Sequence, residues 1–147
     1  WKGGVPDTEV VFLPNHQGRW YVSWMPDQEN RSVMSMNRNK RVPPNPHMGC
    51  GGVDSYDLDA TVDSRSSKGA CHIYNKFNMD AASNMFVAEY ASRPPMAKIF
   101  YEDVLMAAVF YGYPLLIENN KYGIVRHFES RGLKTSRQKA SLQTLRM

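Results

Sequence analysis

The chain holds 147 residues, 42% hydrophobic and 12% aromatic, enough for one packed core and too apolar for a disordered segment. Charged residues make up 22% and the formal net charge is +4, which excludes a strongly acidic protein and mildly favours an anionic partner. Two cysteines, Cys50 and Cys71, are too few for a disulfide framework and read as free thiols in a reducing cytoplasm.

Trp1 rather than Met opens the sequence, so a fragment of a longer protein is expected. Glu9–Leu13 and Arg19–Trp24 are rich in β-branched and aromatic residues and flank the turn composition Pro14-Asn15-His16-Gln17-Gly18, which predicts a β-hairpin. Asp27–Pro46 is polar and Pro-containing and predicts an irregular linker. Met48–Asp54 is a strand candidate whose Gly49, Gly51 and Gly52 make sense only where something approaches the backbone closely. After an Asp-rich loop, Gly69–Lys76 and Met85–Ala91 predict two further strands.

Arg93-Pro94-Pro95 breaks the chain, and from Met96 to Tyr111 the spacing turns helical. Ile99, Phe100, Val104, Ala107, Ala108 and Tyr111 fall at intervals of three and four, and Gly112 stops the helix. Tyr113–Glu118 predicts a short apolar strand, and Ile124–Arg131 a helix closed by Gly132. A helical crossover between strands implies a parallel element, so the class is α/β with a mixed sheet. The longest apolar run, Val104–Ile117, is interrupted by Gly112 and Pro114. It is shorter than the roughly 20 residues that span a bilayer. No membrane segment or signal peptide is therefore expected, and the protein should be soluble. The expected organisation is a hairpin and Pro-rich linker over residues 1–47, then an α/β domain over 48–147 that is incomplete at its C-terminus.

Two constellations could carry chemistry. In Gly51-Gly52-Val53-Asp54-Ser55-Tyr56-Asp57-Leu58-Asp59, with Asp63 following, four carboxylates crowd one stretch and repel unless solvated or neutralised by a cation. Mg²⁺ prefers such oxygen donors. An ordinary acidic turn has the same composition. An EF-hand starting at Asp57 fails, because its sixth position is Val62 and its twelfth Lys68. The second constellation is Leu115-Leu116-Ile117-Glu118-Asn119-Asn120-Lys121-Tyr122-Gly123, which puts an acid at the carboxyl end of an apolar strand. Open α/β sheets bind their ligands at that edge. Glu89, inside an apolar strand, reads as a structural residue facing solvent at an edge, the alternative being a place near the site. His16, His47, His72 and His127 are scattered, and His47 with Cys50, Cys71 and His72 could hold zinc only if the fold gathered them. No Gly-x-x-x-x-Gly-Lys-Ser/Thr motif is present, so no ATP site is expected in this chain.

Taken together, Gly-Gly-Val-Asp54-Ser-Tyr-Asp57, Ser67-Lys68-Gly69-Ala70-Cys-His-Ile-Tyr74, Glu89-Tyr90-Ala-Ser-Arg93-Pro94 and Ile117-Glu118-Asn-Asn-Lys-Tyr-Gly123 resemble, in order and spacing, the C-terminal nuclease domain of tailed-phage terminase large subunits. The resemblance covers about residues 48–132. It implies an RNase H-like, resolvase-related fold in which a central strand carries an Asp and the strand beside it a Glu. Matched here, these are Asp54 and Glu118, the expected catalytic residues and ligands of two Mg²⁺ or Mn²⁺ ions. Asp57, Asp59 and Asp63 are further candidate ligands. The implied activity is endonucleolytic cleavage of concatemeric double-stranded viral DNA during genome packaging. The implied partners are the portal and the small terminase subunit, and the setting is the cytoplasm of an infected bacterium. Lys121, and Arg131, Lys134, Arg137 and Lys139 in a run from Ser130 to Met147 that holds no acid, are candidate contacts to DNA phosphates. The chain departs from the family in two ways. No ATPase half precedes the nuclease, and the only acid after Glu118 is Glu129, too early for the family's third carboxylate.

Two other readings fit parts of the sequence. A non-catalytic basic module of the same fold, docking on DNA or capsid proteins, fits the basic tail. A nucleotide-sugar transferase would use Asp57-x-Asp59 as a metal–diphosphate motif.

Overall fold

The computed structural model describes residues 10–26, 35–37, 40–42, 45–57, 67–76, 82–118 and 122–133. Its elements in chain order are β1 (Trp20–Val22), β2 (Ser35–Asn37), β3 (Lys40–Val42), β4 (Gly49–Asp54), β5 (Gly69–Asn75), β6 (Met85–Ser92), α1 (Ala97–Tyr111), β7 (Leu115–Ile117) and α2 (Gly123–Ser130). Five strands form one mixed sheet in the order β1-β6-β5-β4-β7. β4, β5, β6 and β1 are joined antiparallel in turn, and β7 lies parallel to β4. The α/β class and the parallel crossover are therefore as expected from the sequence.

Strict alternation in β5, buried at every second residue from Gly69 to Asn75, gives the sheet two unlike faces. Val53, Cys71, Ile73, Val87, Ala88 and Tyr90 point inward and meet α1. That helix is buried far beyond one stripe: Ala97, Phe100, Tyr101, Val104, Leu105, Val109, Phe110 and Tyr111 are all enclosed. The reason is that other segments cover its outer sides. Phe12 packs edge-on against Phe110, with ring centroids 4.7 Å apart, and Tyr101 faces His127 of α2. Gly112, at φ 66°, ends α1 in the left-handed conformation that glycine adopts without penalty.

The glycines of β4 have a packing explanation. A side chain at Gly49 would overlap the ring of Tyr113, and one at Gly51 would meet Leu115 and Ile73. Gly52 points to the opposite face, where nothing lies within 4 Å.

Two expectations are corrected. Val10–Leu13 forms no strand; the turn at Asn15–Gly18 is present, with the Gly18 amide donating to the Asn15 carbonyl, but β1 pairs with β6 rather than with the preceding segment. Tertiary pairing wins because Trp20 can then pack on the buried Tyr90 ring, 5.2 Å away. The stretch expected to be irregular contains the short antiparallel pair β2–β3, with Ser35 opposite Val42. That ladder is polar and carries no alternation to reveal it. Among the described residues no helix is long and apolar enough to cross a membrane.

Candidate functional site

β4, β6 and β7 run in the same direction, so their carboxyl ends share one edge of the sheet. Asp54 ends β4, and Glu118 follows β7 directly. Val53 pairs with Ile117 in the parallel register, and the Glu118 amide donates to the Val53 carbonyl at 3.2 Å. Neighbouring strands lie about 5 Å apart. Asp54 and Glu118 therefore stand side by side at the end of the parallel β4–β7 pair, each after an inward apolar residue and both exposed.

The face they share is not covered by any described element. Across it, Tyr21, Glu89, His72, Gly52 and Leu116 form one row by register. Tyr21 and Leu116 are 73% and 80% exposed. His72 Nε2 lies 3.5 Å from Glu89 Oε1. Next to that row, Ala91, Ala70 and Asp54 form a second, with small side chains beside the carboxylate. Glu89, read from sequence as an edge residue, thus shares the face of Asp54, two strands away. The alternation of Ala70, His72 and Tyr74 marks the outward face of β5. The pairing of His72 with Glu89 was not readable, because a β-bulge between Ile73 and Tyr74 shifts the register.

The loops behind the two carboxylates are tightly held. Tyr56 is buried, stacks on Phe100 at 5.3 Å, and lies under the Arg93 guanidinium, 4.3 Å from its ring centroid. Arg93 also donates to the Ser67 carbonyl, which ties the entry of β5 to the exit of β6. The Tyr101 hydroxyl donates to the Tyr56 carbonyl at 2.6 Å and lies 3.2 Å from Asp57 Oδ1. Asp57 Oδ1 in turn accepts the Gly123 amide at 3.0 Å, at the start of α2. None of these partners was legible in the sequence, since they lie 26 to 66 residues from the residues they hold.

A second polar cluster braces α1 against α2. Glu102 accepts from Arg131 and lies against His127 Nε2, both at 2.5 Å. The Arg131 guanidinium, expected to meet phosphate, is thus engaged inside the protein. Arg19 reaches Asp103 with two bonds of 2.6 and 3.0 Å, and Tyr90 donates to the same carboxylate. The hydrogen bond to Asp103 holds the Arg19 guanidinium above its usual range.

Of the other sequence candidates, Asp59, Asp63, Lys121, Lys134, Arg137 and Lys139 lie outside the described residues. Cys71 points into the core and His72 to the open face, so these neighbours cannot share an ion. Among the described residues, no three His, Cys, Asp or Glu side chains gather in a metal-holding group. What the arrangement offers is a pair of adjacent exposed carboxylates, hard oxygen donors suited to Mg²⁺ or Mn²⁺. Comparison with protein-family models, with curated proteins and with solved structures found no match to this chain.

Proposed function

We propose that this chain is the nuclease module of a terminase-like large subunit, a metal-dependent endonuclease that hydrolyses phosphodiester bonds in double-stranded DNA. The observation that carries the reading is the adjacency of Asp54 and Glu118 at the carboxyl end of the parallel β4–β7 pair. An Asp on a central strand and a Glu on the strand beside it is the pattern that the sequence resemblance implies. The five-strand mixed sheet, with a crossover through α1, supports an RNase H-like arrangement.

Phosphodiester hydrolysis requires a nucleophilic water and a stabilised leaving oxygen. Divalent ions supply both, by acidifying a bound water and neutralising charge on the departing oxygen. Asp54 would hold both ions, and Glu118 would hold one and orient the attacking water. The sheet face that no described element covers gives a duplex room to approach. Its carboxylates repel phosphate unless cations intervene, which couples DNA binding to metal. Lys121, Lys134, Arg137 and Lys139 would contact the flanking phosphates. The substrate would be concatemeric viral DNA, with the portal and small terminase subunit as partners.

Plasmid nicking in Mn²⁺ tests the reading. Asp54→Ala and Glu118→Ala should each lower the rate at least about a hundredfold while the circular dichroism spectrum is unchanged. Wild-type protein that nicks no faster than Asp54→Ala sinks the proposal. Metal-independent, strongly salt-dependent DNA binding without cleavage would instead support a docking module, a role that fits the net charge of +4.

A further inference from the structure

Asp54 and Glu118 lie between two cross-links. On one side, the Glu118 amide donates to the Val53 carbonyl. On the other, the Gly123 amide donates to Asp57 Oδ1. The chain around Asp54 is therefore tied to Glu118 at one point and to the start of α2 at another, with Asp54 between the two tied residues Val53 and Asp57. The second link is the more elaborate. Tyr101, from α1, brings its hydroxyl to the Tyr56 carbonyl and to within 3.2 Å of Asp57 Oδ1, so three separate elements meet at one oxygen. The meeting is tight enough to dictate residue 123. A Cβ there would stand 2.6 Å from Asp57 Oδ1 and would overlap the Tyr101 hydroxyl. α2 has no side-chain cap from its own N-cap residue, Tyr122, so Asp57 supplies the acceptor from across the molecule.

We infer that Asp57 is a positioning residue rather than a metal ligand: its carboxylate clamps the start of α2 to the loop after β4 and so fixes the spacing of Asp54 and Glu118. This rests on the nuclease reading for its consequence, though not for its geometry. The clamp needs an oxygen acceptor at Oδ1 and not a negative charge. A carboxylate that ligates a divalent ion contributes chiefly through its charge, which an amide oxygen lacks. Asparagine at 57 separates the two roles.

Two readouts make the test. The first is amide hydrogen exchange at Glu118 and Gly123, which reports the closure with or without metal. Asp57→Ala should speed exchange at both amides about tenfold or more, and Asp57→Asn should leave Glu118 within about threefold of wild type. The second is Mn²⁺ affinity, read from the signal of free Mn²⁺ by electron paramagnetic resonance. Asp57→Ala and Gly123→Ala should weaken binding about tenfold, and Asp57→Asn should restore it to within about threefold. If Asp57→Asn loses Mn²⁺ as fully as Asp57→Ala, Asp57 is a ligand and the inference is overturned. Unchanged Glu118 exchange in Asp57→Ala overturns it as well. Should Asp57→Ala not fold, Tyr101→Phe removes a single hydroxyl and should loosen the same two amides by a smaller factor. Mn²⁺ binding that Asp54→Ala leaves intact would count against the nuclease reading alone, because the exchange readout still decides the clamp.

Discussion

At single positions, the glycines of β4 show how differently one residue type can be used. Gly49 is closed in by the ring of Tyr113, whose hydroxyl is fixed by a 2.7 Å bond to the buried Asn75. The ring cannot simply swing away. Gly49→Ala should therefore destabilise the protein by about 2–3 kcal/mol, the scale of overpacking in a filled core. Gly52 faces open space, so Gly52→Ala should be neutral or stabilising by up to about 1 kcal/mol. Urea denaturation of the two variants reads both numbers, and a Gly49→Ala midpoint equal to wild type would contradict the packing account. From the sequence, the three glycines looked alike. Which of them met a neighbour depended chiefly on Tyr113 and Leu115, more than 60 residues on, and on which way each residue faced.

At the scale of elements, periodicity was informative and partnership was not. α1 was legible from Ile99, Phe100, Val104, Ala107, Ala108 and Tyr111, and its end from Gly112, because local spacing and a local turn define both. The strand that ends at Asp54 and the strand that Glu118 follows were also expected from the sequence. The hairpin expected at the N-terminus was not formed, because alternation predicts a strand without naming its partner, and β1 gains more against β6. The brace between α1 and α2 belongs to this scale too. Glu102 pairs with Arg131, whose side chain is 19% exposed, and lies against His127, whose side chain is 9% exposed. Glu102→Ala removes the carboxylate that both groups contact and should cost about 1–3 kcal/mol. Loss of amide protection confined to α2 and the facing turns of α1 would be its signature. Uniform loss through the sheet would contradict a local brace.

For the molecule as a whole, burial of weak acids sets an alkaline limit. Burial pushes the Cys71 thiol from 9.0 up to about 12. It also pushes the Tyr113 phenol from 10.0 up to about 12, helped by the charge of Cys50. Tyr90 and Tyr111 move in the same direction, again chiefly through burial. The folded state then holds protons that the unfolded chain releases, so stability falls as pH rises through this range. The urea midpoint should be flat up to about pH 8.5 and decline between about pH 9 and 12, with tyrosinate absorbance appearing together with unfolding. A midpoint that stays level to about pH 11 would contradict the burial of these groups. The sheet carries one more consequence. Its outermost strands, β1 and β7, have 3 residues each, against 6, 7 and 8 for the inner three. Among the described residues, a stray chain seeking to extend the sheet finds only a brief run of backbone groups at either edge, which disfavours strand-by-strand polymerisation even though no described element covers one of its broad faces.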